Sequence, residues 1–175
     1  MTRIYVDATA LVALGQVGEL ELLDAFDGEI VVPDAVAAEV TTEPPRTNLD
    51  RFVDEKPVVT GPVETDWTEQ ARSVLGAEEP TSDVRVIEGV LDATDGDDEA
   101  NDDPAVGVVS EDRRLRTVAE GFGATVTGAF GVVVRAAADD KYLSTTQAKR
   151  IVRRIDSHGL HLTGELREQA VGATE

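Results

Sequence analysis

AVGVVSEDRRLRTVAEGFGATVTGAFGVVVRAAA, residues 105–138, decides the fold. It opens on a continuous apolar run, 105–110, rich in β-branched Val and closed by Ser110. Such a run reads as a strand buried on both faces. Residues 113–121 then read as a helix, 125–127 (TVT) as another short strand, and 128–138 as a helix carrying Phe130, Val132, Val133 and Val134. Strand–helix alternation with near-continuous apolar strands predicts an α/β fold around a parallel sheet.

The alternation continues upstream. Ile4, Tyr5 and Val6 form a short β-rich run, and 8–17 carries Leu11, Val12, Leu14 and Val17 at helical spacing. Residues 20–26 continue helically and stop near Asp27 and Gly28, and 29–32 is a second strand closed by Pro33. Asp34 is expected to cap a helix over 35–40. Residues 43–66 are Pro-rich and read as irregular, with 57–60 (PVVT) a candidate third strand. A helix is expected over 66–75, and another after Thr81 or Ser82 through Val84, Ile87, Val90 and Leu91. The stretch 94–104, TDGDDEANDDP, has no apolar residue larger than Ala and reads as an exposed loop. Thr145–Ser157 is expected to be helical, with Ile151 and Ile155 on one face, and 164–171 a short last helix. There is no internal repeat.

Length and composition bound the function. At 175 residues the chain fits one domain, since domains run to roughly 100–200 residues. The expected division is a core over about 3–138 and C-terminal helices over about 139–172 within a single domain 1–175. With 41% hydrophobic residues it is not a disordered tail. The absence of Cys removes disulfides, zinc fingers and thiol nucleophiles. His158 and His161 are too few and too late for a His-rich metal site. No apolar run approaches the roughly 18–20 residues of a membrane span, and the opening MTRIYVDATA meets an acid at Asp7 instead of reading as a signal peptide. The expectation is a cytoplasmic protein with no membrane partner.

The net charge is −19, from 35 acids against 16 bases, of which three are Lys and thirteen Arg. An acid-rich, Lys-poor chain suits a salt-rich cytoplasm, such as that of a halophilic archaeon, where self-repulsion is screened. The rival reading is an acidic surface for a basic partner. The charge is uneven: residues 1–100 hold 24 acids and 6 bases, residues 101–175 hold 11 and 10. Two basic clusters stand in the second part, Arg113, Arg114 and Arg116, then Lys149, Arg150, Arg153 and Arg154.

In open α/β sheets, ligands bind beyond the carboxyl ends of the strands. Asp7 directly follows the first strand, and Asp112 lies just past the run ending at Val109. Glu39 is expected on the helix after the second strand, and Asp83 in the first turn of the helix through Leu91. Each has an ordinary reading: Asp83 favouring a helix N-terminus, Asp112 capping the next helix, Glu39 on a solvated face. Asp7 is harder to dismiss, because an acid between a buried strand and an apolar helix must be solvated, paired or metal-bound.

The segments around these acids resemble those of the PIN-domain family, the nuclease fold of VapC-type toxins. IYVDATALVAL resembles the family's opening, with Asp7 and Thr9; VVPDAVAAEV resembles the segment with its second acid, Glu39. SDVRVI resembles the helix start with its third acid, Asp83. VVSEDRRLRTVAEGFGATVTGAFGVVVRAA resembles the most specific stretch, an apolar strand leading to Ser/Thr-x-Asp with Ser110 and Asp112. The tail from Leu143 resembles the C-terminal helices of one branch. That branch usually has Gly-Glu where Ser82 and Asp83 stand, and commonly Thr where Ala129 stands; the acidic loop looks inserted.

The resemblance implies a three-layer α/β/α PIN-like fold with a mostly parallel central sheet. It also implies a Mg²⁺- or Mn²⁺-dependent endoribonuclease hydrolysing phosphodiester bonds of single-stranded or structured RNA. Asp7, Glu39, Asp83 and Asp112 would hold one or two metals. Thr9 and Ser110 would steady them or touch phosphate, and Arg113, Arg114 and Arg116 would hold RNA. Glu111, next to Asp112, is expected to point elsewhere. A toxin role with a small antitoxin, and a homodimer, belong to the same resemblance. The alternative is a weak or inactive PIN-like module binding RNA or a protein. A nucleotide-binding phosphoryl-transfer domain is disfavoured, since neither a Walker Gly-Lys-Ser/Thr nor a Gly-x-Gly-x-x-Gly fingerprint is present.

Overall fold

Arg3–Val6 (β1) is the middle strand of the sheet, and its last three residues are buried. In this computed structural model, which describes residues 2–95, 106–138 and 143–157, β1 pairs on one side with Glu29–Pro33 (β2) and on the other with Val106–Val109 (β4). Val59–Gly61 (β3) lies outside β2, and Thr125–Thr127 (β5) outside β4. The order is β3-β2-β1-β4-β5, and every pairing is parallel.

Helices cover both faces, which is why β1 and β2 are apolar after their first residues, Arg3 and Glu29, and β4 has no polar side chain. Ala8–Gln16 (α1), Pro45–Glu55 (α3), Ala129–Ala138 (α7), Thr145–Ser157 (α8) and the 3₁₀ segment Leu20–Ala25 pack together. Asp34–Ala37 (α2), Thr68–Leu75 (α4), Ser82–Asp95 (α5) and Arg113–Gly121 (α6) form the other group, with α5 against β1, β2 and β4. The fold is therefore the predicted three-layer α/β/α arrangement. No helix among the described residues is long and apolar enough to cross a membrane.

Three expectations fail. Residues 45–55, expected to be irregular, form α3; Pro45 occupies its first turn, where a missing N–H costs nothing. The helix expected over 35–40 is only α2, with Pro33 at its N-cap position; Asp34 is its first residue and makes no capping bond. It stops at Ala37; Arg46, from α3, donates to the carbonyls of Ala37 (3.0 Å) and Val40 (3.5 Å), and Pro44 has no N–H to offer Val40. Third, Thr94 and Asp95 of the expected loop are the end of α5, and Thr94 Oγ1 donates back to the Val90 carbonyl at 2.9 Å. Residues 96–104 of that loop, His158, His161 and the expected helix 164–171 lie outside the described residues.

The seat of α5 on the sheet depends on Gly89. A Cβ there would stand 2.3 Å from Cζ of the buried Tyr5 ring. Gly89→Ala is expected to destabilise the fold by about 1–3 kcal/mol, read by urea denaturation. An unchanged midpoint would contradict this close approach.

Candidate functional site

Val6 pairs with Val109, so Asp7 and Ser110 leave the sheet side by side. The sheet order reverses at this point: β1 leads outward to β2 and β3, and β4 and β5 lie on its other side. This is the switch-point crevice at which α/β folds bind ligands.

Asp7 is 2% exposed. It stands at the N-cap position of α1, yet its side chain makes no capping bond. Its Oδ2 instead accepts the hydroxyl protons of Thr9 and Ser110, each at 2.8 Å. Both hydroxyls also accept: Thr9 Oγ1 from the Glu111 N–H at 2.9 Å, Ser110 Oγ from the Asp112 N–H at 3.0 Å. Thr9 and Ser110 therefore orient Asp7 and shape the turn after β4, with their protons committed to the carboxylate. Hydrogen bonds to a charged group are worth about 1.5–3 kcal/mol each, which offsets the cost of burying one.

Asp112 does cap α6: its Oδ1 accepts the N–H groups of Arg114 (2.9 Å) and Leu115 (3.2 Å). Glu39 is not on a helix but on the turn just past α2, where its Oε1 accepts the Ser82 hydroxyl at 2.7 Å. Asp83 follows in the first turn of α5 and accepts no hydrogen bond from the described residues. Its carboxyl is pushed up to about 6, first by burial, then by the charges of Asp7, Asp112 and Glu39, with Arg114 acting the other way. Four acids from separate segments thus share one electrostatic neighbourhood.

Other expected residues are distributed differently. Arg113 is exposed beside Asp112, whereas Arg114 donates to the Leu75 carbonyl at 2.7 Å and so closes the end of α4. Arg116 lies against Gly128 and Glu111. Glu111 turns away from the acids and accepts the Ala129 N–H at the start of α7; burial raises its carboxyl, and that bond and Arg116 lower it. In the second basic cluster, Arg154 donates to the Val17 carbonyl at 2.9 Å and approaches Glu19 at 3.8 Å.

Two residues escaped the sequence reading. Ser82 was weighed only as a cap, but Thr81 Oγ1 accepts the Val84 N–H at 3.3 Å, and Ser82 serves Glu39. Glu88 is fully buried on α5, paired with Arg85 at 2.8 Å and bonded by Thr65 (2.9 Å) and Thr68 (3.2 Å). The signal was available: Arg85 and Glu88 stand three apart on one helix face. A cavity of about 380 Å³ between β4, β5, Phe26 and Arg135 is lined by none of the four acids.

The donor set is all oxygen, which suits a hard divalent cation, and the mutual repulsion felt at Asp83 is what such a cation relieves. Among the described residues no three such side chains form a ready-made metal cage, so the fit rests on donor chemistry and charge.

The raised carboxyl of Asp83 has a signed consequence for the metal-free protein. Its folded value of about 6 lies above the ordinary 3.8. The folded state therefore binds the proton more tightly, and stability is lost as pH rises through about 6. In metal-free buffer Asp83→Asn should gain in thermal midpoint over wild type between about pH 4 and 8. A difference independent of pH would contradict the assignment.

No curated protein matches the chain. Residues 3–82 match a family model described as a PIN domain (DUF3368). The match takes in Asp7, Thr9, Glu39 and Ser82 and ends one residue before Asp83. The match covers less than half of the 175 residues, and the all-parallel sheet between helical layers is consistent with a PIN-like fold.

Proposed function

We propose that this chain is a divalent-cation-dependent ribonuclease that hydrolyses phosphodiester bonds of RNA. The observation that carries the reading is the electrostatic neighbourhood shared by Asp7, Glu39, Asp83 and Asp112, in which the carboxyl of Asp83 is raised to about 6, first by burial and then by the other three acids. Asp7, Glu39, Asp83 and Asp112 would hold Mg²⁺ or Mn²⁺. When bound, such a cation polarises the phosphate and makes an attacking water more acidic. Thr9 and Ser110 keep the Asp7 carboxylate oriented, and the α6 amides do the same for Asp112. Arg113, exposed in the first turn of α6, is the group freest to hold a phosphate; Arg114 and Arg116 add positive charge nearby.

The reading extends, on the resemblance and composition alone, to a single catalytic domain in a salt-rich cytoplasm, a toxin with a small antitoxin, and a homodimer. A second reading is a non-catalytic module that binds RNA or a protein. The lack of a preformed cage among the described residues is the observation in its favour.

The protein in concentrated KCl with Mn²⁺ should cut single-stranded RNA, and EDTA should stop it. Asp7→Asn and Asp112→Asn should each lower the rate by at least about 100-fold. Asn caps a helix about as well as Asp, so the Asp112 variant separates chemistry from capping. Cleavage that survives EDTA would overturn the proposal, and RNA retention without products would favour the binding module.

A further inference from the structure

We propose that Ser82 is a positioning residue for the cation site: its hydroxyl fixes the carboxylate of Glu39. The inference rests on the metal-dependent reading above and adds a residue to it. Ser82 is the first residue of α5, 6% exposed, and its Oγ donates to Glu39 Oε1 across 43 residues of sequence. Thr81 accepts the local Val84 N–H, so Ser82 is not the residue that takes that amide, and its hydroxyl donates to Glu39.

Glu39 needs such a partner. It is exposed on a turn whose helix ends early, and a free Glu side chain loses rotamer entropy when ordered. Ser82 orders it before any ligand arrives. The same device serves the neighbouring acids. Asp7 is held through Oδ2 by Thr9 and Ser110, and Asp112 through Oδ1 by the α6 amides. In all three, one oxygen is tied down; Asp7 Oδ1, Glu39 Oε2 and Asp112 Oδ2 accept no hydrogen bond from the described residues. A carboxylate fixed by one oxygen and open at the other is arranged to meet a cation.

The test is Mn²⁺ binding to the full chain, followed by electron paramagnetic resonance without RNA. Ser82→Ala should weaken Mn²⁺ affinity about 10-fold, within the range for groups that orient metal ligands. Ser82→Thr, which keeps the hydroxyl, should stay within about twofold of wild type. In a Glu39→Ala background, Ser82→Ala should add nothing, because its effect passes through Glu39. Unchanged affinity in Ser82→Ala, a Thr variant as weak as Ala, or an equal loss in the Glu39→Ala background would each overturn the inference. No saturable Mn²⁺ signal from wild type would instead overturn the metal reading itself, and this inference with it.

Discussion

The buried carboxylate of Asp7 is the constraint on which the rest of the site depends. A charge 2% exposed between two strand ends must be solvated by the protein itself. Thr9 and Ser110 do this through a single oxygen, and the same hydroxyls then take the backbone amides of Glu111 and Asp112. One oxygen atom thus ties the start of α1 to the turn that launches α6. Removing the carboxylate would take away the acceptor of two hydroxyl protons. Fold and proposed chemistry share one network here.

The acidity of the chain acquires two meanings. Many of the acids stand on exposed positions, such as Asp34, Asp50, Glu69 and Glu78, and set the solution behaviour of the surface. Four others share one electrostatic neighbourhood at the switch point, where burial first, and then the charges of the other three, raise the carboxyl of Asp83. A fifth, Glu88, is buried but matched by Arg85 and two threonines. It joins the approach to α4 to the helix that presents Ser82 and Asp83. Burial alone does not distinguish these classes; the partners do.

The sheet and most helices were legible because the local signals agree with the fold. The apolar runs of β1 and β4, the TVT of β5 and the helical spacing in α5 and α7 all say what the structure does. Residues 43–66 misled, because a Pro pair reads as a breaker unless it falls at a helix start, and α3 shows few apolar anchors beyond Leu49 and Phe52. The end of α2 was hard to read as well, since Arg46, which bonds the carbonyls of Ala37 and Val40, comes from α3. Of the candidate site residues, the positions of Asp7 and Asp112 just past strand ends were readable from the apolar runs before them. The role of Ser82 was not: its partner is 43 residues away, and only tertiary contact sets a hydroxyl against that carboxylate. The bond of Arg114 to the Leu75 carbonyl, 39 residues away, is equally a product of tertiary contact.

The most direct test of the central claim is anomalous diffraction from crystals grown with saturating Mn²⁺. The account predicts one or two manganese peaks in the crevice between the ends of β1 and β4, contacting Asp7 and carboxylates among Glu39, Asp83 and Asp112, directly or through water. A crevice without manganese at saturating concentration, with the four carboxylates bonded only to protein and solvent, would contradict it.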